Sequence, residues 1–260
     1  MAQVGAGSDR PLAGHLDNAL LIVNPASRRG RKSMHAAQRA FAKLGVPCDV
    51  VVTERRGHAG EIAAANAADY SAIFALGGDG TAVEIIGALV PDGPYVGVLP
   101  GGTGNLLARA LGIPLNVGRA VKALVNGDRA RVDLGRLSDG TRFAIGAGVG
   151  IDASMIAGTS QGWKRRAGVL AYVVTGVIHV LGRRRFVARV TVDGVVHSRE
   201  AAVVLVANFG VLLNGLVTLG DGIRRDDGLL DVCVFDPVSL TDVLRISWRL
   251  MFQNFTADSA

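Results

Sequence analysis

The sequence predicts an α/β nucleotide-binding domain built on a parallel sheet, followed by a mainly antiparallel β-sandwich domain. Three observations carry this. From residue 19 to about residue 111, short apolar runs alternate with helix-forming stretches, the order of a parallel sheet with helices on both faces. Two of the runs end in glycine turns that open helices: Ala72-Ile-Phe-Ala-Leu-Gly-Gly-Asp-Gly-Thr81 and Val96-Gly-Val-Leu-Pro-Gly-Gly-Thr-Gly-Asn105. Beyond residue 130 the chain turns to Val-rich strand segments separated by signals such as Ser138-Asp-Gly140 and Asp193-Gly194.

In chain order, residues 1–16 are small, polar and glycine-rich with no apolar core segment, so they read as a disordered tail and not as a signal peptide. The α/β domain is expected over 17–130. Its first strand is Ala19-Leu-Leu-Ile-Val-Asn24, stopped by Asn24-Pro25-Ala-Ser27 and followed by a basic turn, 28–32. A helix over 33–44 closes on Gly45. A second strand, 48–53, and a second helix, 57–68, precede the first glycine turn and its helix, 82–89. The second glycine turn leads into a helix at 106–111. One more helix, 117–126, ends at Gly127. The β domain is placed at 131–260, with strands at 131–137, 142–146, 185–192, 198–208 and 229–235 and helices at 164–182 and 241–255.

Composition sets bounds. The chain has 260 residues, 49% hydrophobic and 19% charged, the balance of a packed globular protein rather than a disordered one. Its net charge of +6 suits an acidic partner such as a nucleotide, nucleic acid or anionic lipid, and equally a generally basic surface. Cys48 and Cys233 fit no metal or redox spacing, so a reducing cytoplasm is expected. The uncharged stretch 167–181 is shorter than the roughly 20 residues of a membrane span and reads as a buried helix. The basic triplets on either side of it could touch anionic head groups at the inner membrane face.

The glycine turns carry the chemistry. Strand, glycine turn, helix is an arrangement that aims free N–H groups and a helix N-terminus at an anion. Two copies on neighbouring parallel strands reach the same sheet edge, where ligands bind in open α/β sheets. Asn24 and Ser27 at the end of strand one and Thr53 at the end of strand two lie on that edge. Gly30-Arg-Lys-Ser33 is not a Walker A loop, because the upstream glycine is missing and Arg31 separates Gly30 from Lys32; Gly146-Ala-Gly-Val-Gly150 has the wrong spacing for a dinucleotide fingerprint. Asp79 repels a bare phosphate. It fits a carboxylate that holds magnesium on the phosphates or accepts a proton from an attacking hydroxyl, and alternatively an Asx turn or helix cap.

Gly77-Gly-Asp-Gly-Thr81 with Glu84, Pro100-Gly-Gly-Thr-Gly-Asn105 with Ala108-Arg109, and Asn24-Pro25 together resemble the diacylglycerol kinase catalytic family of bacterial lipid kinases and their sphingosine- and ceramide-kinase relatives. The resemblance runs from about Leu20 to Phe235 and takes in Asp152 and Asp226-Asp-Gly-Leu-Leu-Asp231. It implies an active site in the cleft between a nucleotide domain and a lipid domain. The nucleotide-binding set it implies, joined to the strand-end residues, is Asn24, Ser27, Thr53, Gly77, Gly78, Asp79, Gly80, Thr81, Glu84, Gly101, Gly102, Thr103 and Asn105, with Asp79 catalytic. It also implies ATP and Mg2+, with a structural magnesium on Asp227 and the backbone carbonyls of Arg224 and Leu229. A diacylglycerol-like membrane lipid is the expected substrate, in phospholipid biosynthesis. No nucleic acid is expected, and a homodimer is a possibility.

Two departures stand out. Val83 replaces the usual Asn before Glu84. Relatives also continue into an Asp-Gly-Glu segment with the presumed general base, which this sequence lacks before Ala260. The expectation is truncation, completion by a partner, or lost catalysis. The competing readings are a catalytically inactive nucleotide- or lipid-binding protein and an NAD kinase.

Overall fold

The computed structural model describes residues 16–27, 30–150, 185–212, 217–220, 222–237, 239, 241–242 and 245. Residues 1–15 of the expected tail, the helix at 164–182, Asp152, the basic residues 164–166 and 183–184, and most of the helix at 241–255 lie outside them; Leu16, read from sequence as the end of the tail, is instead buried in the core of the first unit. The chain divides into two compact units, Met1–Arg131 and Val132–Ala260.

The first unit holds strands β1 (Ala19–Val23), β2 (Cys48–Val52), β3 (Ala72–Gly77) and β4 (Tyr95–Pro100). They form one sheet in the order β2-β1-β3-β4, all parallel. β1 and β3 are buried along their whole length, which is why both read as unbroken apolar runs rather than alternating ones. Helices α1 (Gly30–Lys43), α2 (His58–Ala65), α3 (Asp79–Ala88), α4 (Leu106–Ala110) and α5 (Val117–Val125) connect and cover the strands. The core includes Leu21, Val23, Phe41, Phe74, Leu76, Leu99 and Val121, with the Phe41 and Phe74 rings edge to face, centroids 4.8 Å apart.

Two helix starts differ from the sequence reading. α1 begins at Gly30 rather than 33, and α3 at Asp79 rather than 82. Helix periodicity needs a side-chain pattern, and Gly78 to Thr81 contribute almost none, so the first turn of α3 is invisible to it.

The register of the central strands is fixed at their N-terminal ends. Ser71 N donates to Asn18 Oδ1 at 2.9 Å, Ser71 Oγ donates to Asn18 O at 2.6 Å, and Asn18 Nδ2 donates to Asp69 O at 2.7 Å. Ala19 then pairs with Ala72, Val23 with Leu76 and Gly77 with Pro100. The four strands therefore end within one residue of one another at the same sheet edge, with Thr53, Asn24, Gly78 and Gly101 as the next residues.

The second unit is built of antiparallel pairs. β5 (Gly135–Arg136) pairs with β6 (Arg142–Phe143), and β7 (Gly146–Val149) with β10 (Val203–Ala207), whose other edge takes β13 (Asp231–Phe235). β8 (Phe186–Val192) and β9 (Val195–Ala201) form a hairpin, and β11 (Val211–Leu212) pairs with β12 (Val217–Thr218). The strand expected over 131–137 shrinks to two residues; ahead of it the Asp133 backbone bonds Arg225 O and Asn208 Nδ2 instead of a ladder partner. The run 198–208 is two strands broken at Ala202, whose N–H goes to Phe235 O at 2.9 Å.

Candidate active site

The sheet order locates the site. The chain leaves β1 for β2 on one side and returns to β3 on the other, so the topological switch point lies between the carboxyl ends of β1 and β3, where open sheets part their connections and admit ligands. Asn24 spans it. Its Oδ1 accepts from Ala26 N at 3.0 Å, shaping the turn after β1, and its Nδ2 donates to Thr81 Oγ1 on α3 at 3.2 Å. Ser27 N donates to Asn24 O at 3.1 Å. The Ser27 hydroxyl is buried and has no hydrogen-bond partner among the described residues, a cost that a ligand oxygen or a water would relieve. Thr53 is buried one strand away, its N–H bonded to Val23 O at 2.9 Å.

The two glycine turns lie against each other. Gly101 N donates to Gly77 O at 2.9 Å. A Cβ on Gly101 would stand 3.0 Å from the Gly77 backbone, one on Gly102 only 2.6 Å from Gly78 Cα, and one on Gly77 only 2.5 Å from Thr81 Oγ1. These three glycines are required by the protein's own packing. Gly78 and Gly80 are different. A Cβ on Gly78 meets nothing closer than Gly102 Cα at 3.8 Å, and one on Gly80 meets nothing within 4 Å, and neither residue has a positive φ. Packing among the described residues does not account for them; close approach of another molecule would.

Asn105 and Asp79 hold the second turn. Asn105 takes the left-handed conformation, φ 47°, which Asn tolerates. Its Oδ1 accepts from Gly102 N at 2.8 Å and its Nδ2 donates to Gly102 O at 3.0 Å, so the amide is committed to the loop itself. Arg109 Nε adds a bond to Gly104 O at 3.1 Å, and Thr103 stands exposed at the loop tip. Asp79 is the first residue of α3, after Gly78, which gives that helix no side-chain cap. Its Oδ1 instead accepts from Leu107 N, in the first turn of α4, at 2.8 Å. Asp79 therefore caps the neighbouring helix and ties the two turns together, while Oδ2 lies about a van der Waals contact from Gly104 (3.5 Å to a Cβ built there). Glu84 is half-buried one turn along α3. At the rim, Arg55 grips Glu61 through both nitrogens and holds that carboxyl below its ordinary range.

The acidic turn of the second unit is built around a residue that no local pattern marked. Asp133 N donates to Arg225 O at 2.7 Å, and Asp133 Oδ2 accepts from Gly228 N at 2.7 Å, 95 residues away in sequence. Asp133 O accepts from the buried Asn208 Nδ2 at 2.6 Å, which also donates to Ala144 O at 2.7 Å. Asp227 Oδ1 accepts from Leu229 N at 3.0 Å, an Asx turn around Gly228 at φ 77°. Arg224 and Asp226 form an exposed pair at 3.4 Å. Among the described residues no three His, Cys, Asp or Glu side chains converge. Asp227 and the Arg224 and Leu229 carbonyls still make an oxygen-only set, the donor type a hard cation such as Mg2+ takes, usually with several waters.

Comparison with known proteins gives this geometry a context. Residues 18–137 match the diacylglycerol kinase catalytic domain, and residues 145–258 match the YegS C-terminal NAD kinase beta sandwich-like domain. A diacylglycerol kinase from Bacillus subtilis is 29% identical over 240 residues, 89% of this chain and 78% of that protein. The uncharacterised Synechocystis protein sll0036 is 32% identical over 164 residues, 63% of this chain but only 38% of that protein's length. A crystal structure of a diacylglycerol kinase from Bacillus anthracis superposes with a TM-score of 0.73 at 26% identity, covering 93% of this chain and 82% of that one. Together these matches define the class as a lipid kinase of the diacylglycerol kinase type. Residues 18–137 belong to the diacylglycerol kinase catalytic-domain family, and the curated relatives named diacylglycerol kinase match most of this chain.

Proposed function

We propose that this protein transfers the γ-phosphoryl group of ATP to the hydroxyl of diacylglycerol or a related membrane lipid, in phospholipid metabolism. The observation that carries the reading is the pair of abutting glycine turns at the switch point, two of whose glycines, Gly78 and Gly80, have no packing reason among the described residues to lack a side chain. Phosphates laid there would meet backbone N–H groups and the N-terminal end of α3. The Asn24 and Asp79 hydrogen bonds set the spacing of the turns before any ligand arrives, so little reorganisation is needed on binding. Magnesium on the phosphates would neutralise charge developing during transfer. Asp79, whose Oδ1 accepts from Leu107 N, is the carboxylate we assign to serve it or to accept the substrate proton. The structural magnesium would sit on Asp227 with the Arg224 and Leu229 carbonyls. Thr53, Thr81, Glu84, Thr103 and the buried Ser27 hydroxyl complete the proposed nucleotide site.

The test is titration calorimetry with ATP and magnesium on the wild type and on Gly78→Val. A Cβ on Gly78 meets nothing closer than Gly102 Cα at 3.8 Å, so the variant should keep its melting temperature without nucleotide and lose ATP binding, with Gly78→Ala as the milder control. No heat from the wild type at millimolar ATP would remove the reading. The beta-sandwich model that matches residues 145–258 takes its description from NAD kinase. NAD should therefore be offered as acceptor beside diacylglycerol and ceramide, with phosphorylated lipid expected and phosphorylated NAD not. ATP binding without turnover on any acceptor would mark a binding protein.

A further inference from the structure

Asn208 follows β10, the central strand of the β13-β10-β7 sheet, and is fully buried, as are Ala207 and Phe209 beside it. A buried amide ordinarily satisfies its oxygen and its N–H groups alike. This one satisfies one side only. Nδ2 donates to Asp133 O at 2.6 Å and to Ala144 O at 2.7 Å, while Oδ1 has no partner among the described residues. The backbone N–H adds a bond to Ile145 O at 2.9 Å. Both side-chain donors therefore go to backbone carbonyls of other segments, and the fold tolerates an orphaned oxygen to keep them. The isosteres cannot replace it. A carboxylate would face two carbonyl oxygens, and a leucine would leave both without this donor.

Asp133 carries the grip onward. Its N–H donates to Arg225 O and its Oδ2 accepts from Gly228 N, both at 2.7 Å. Among the described residues, these are the hydrogen bonds that tie 224–229 to another part of the chain. Arg225 adjoins Arg224, and Gly228 stands between Asp227 and Leu229, so the two bonds flank all three oxygen donors of the proposed cation turn. Little else holds the turn. Asp226 to Leu230 are exposed, and a Cβ on Gly228 would meet nothing within 4 Å. An exposed segment with few buried contacts opens readily unless it is tied down.

We propose that Asn208 is the positioning residue of this turn. Anchored at the end of the central strand, it fixes Asp133, and through Asp133 it sets Asp227 and the Arg224 and Leu229 carbonyls in place before a cation arrives. Mg2+ demands near-octahedral coordination at short distance, whereas Ca2+ accepts longer and looser arrangements. A turn held stiffly favours Mg2+, and a turn released from Asn208 loses that preference. The inference rests on the magnesium part of the kinase reading, that this turn takes a cation, and adds the residue that makes it selective.

Calorimetric titration of the full chain with Mg2+ and with Ca2+, without nucleotide, tests it, and Asp227→Ala identifies the heat that comes from this turn. Asn208→Ser can donate to one carbonyl at most. It should weaken Mg2+ binding on the order of 10-fold, the loss usual when a group that orients metal ligands is removed, and Ca2+ binding far less. Val204→Ala, on β10 but outside the network, should lower the melting temperature and leave both affinities unchanged. Equal losses of Mg2+ and Ca2+ in Asn208→Ser, or the same selective loss in Val204→Ala, would overturn the proposal. Amide hydrogen exchange on the wild type decides the matter even if Asn208→Ser fails to fold. Without metal, the Asp133 and Gly228 N–H groups should already be protected; protection that appears only with Mg2+ would overturn the proposal. So would Mg2+ heat that Asp227→Ala retains in full. ATP titration of the wild type keeps the two readings apart. A chain that binds ATP but no Mg2+ at the turn sinks this inference alone, and one that binds Mg2+ there but no ATP sinks the kinase reading alone.

Discussion

Asp79 combines two roles that substitution can separate. Its geometry toward Leu107 N needs only an oxygen acceptor, whereas magnesium or proton chemistry needs the charge. Asp79→Asn keeps an acceptor, so its stability should stay close to wild type while turnover falls by about 10²-fold or more. Asp79→Ala removes both and should also lose about 1 kcal/mol of stability, the usual cost of a lost helix cap. Urea denaturation and a lipid phosphorylation assay on the two variants check this; equal stability in both would show that the bond to α4 contributes nothing. Of the site residues, those legible in the sequence were the ones whose chemistry is local, the glycine turns and the strand-end Asn24, Ser27 and Thr53. The destination of the Asp79 carboxylate was not, because Leu107 lies 28 residues on and only the sheet brings it close. Nor were the bonds by which the Asn105 amide shapes its own loop, one accepted from and one donated to Gly102.

The turns and strands invite predictions as units. Gly102→Ala drives a methyl group to 2.6 Å from Gly78 Cα, a backbone atom that cannot step aside, and should cost about 1–3 kcal/mol. Gly80→Ala meets open space in the first turn of α3 and should leave stability unchanged or raise it by up to ~1 kcal/mol, since Ala is the better helix former. Thermal melting of both proteins decides whether the turns are held by each other, as the structure has them. Strand β2 carries a pH signal. Burial, reinforced by neighbouring Asp49, pushes the Cys48 thiol up to about 12 from 9.0. The folded state then keeps a proton that the unfolded chain releases, so stability should be intact below pH 9 and fall as pH rises towards 12. Cys48→Ala should flatten that limb of the stability curve, read by urea titration at stepped pH, and the native thiol should resist alkylation near neutrality.

For the molecule as a whole, the α/β class and its β successor were readable because each rests on period and punctuation, which a single sequence carries. The spatial order of the strands was not. Four strand runs can be stacked in several parallel orders, and the neighbourhood of β1 and β3 is marked by long-range bonds, Asn18 with Ser71 and Asn24 with Thr81, that hydrophobic pattern does not encode. The same holds for Asp133, whose partners Arg225, Gly228 and Asn208 are distant in sequence. That strand order has a consequence during synthesis. β1 is the first strand to leave the ribosome, yet it ends in the middle of the sheet with a partner on each side. Once Val52 has emerged one side can be covered, but the other waits for Gly77, roughly one to five seconds later at ~5–20 residues per second. Through that interval a wholly apolar strand, Ala19–Val23, offers an open edge to any other nascent chain nearby. Polysomes crowded with this message, or a pause engineered between the codons for Ala65 and Ala72, should therefore yield more aggregate from the same finished sequence. Moving the pause beyond Pro100 should not.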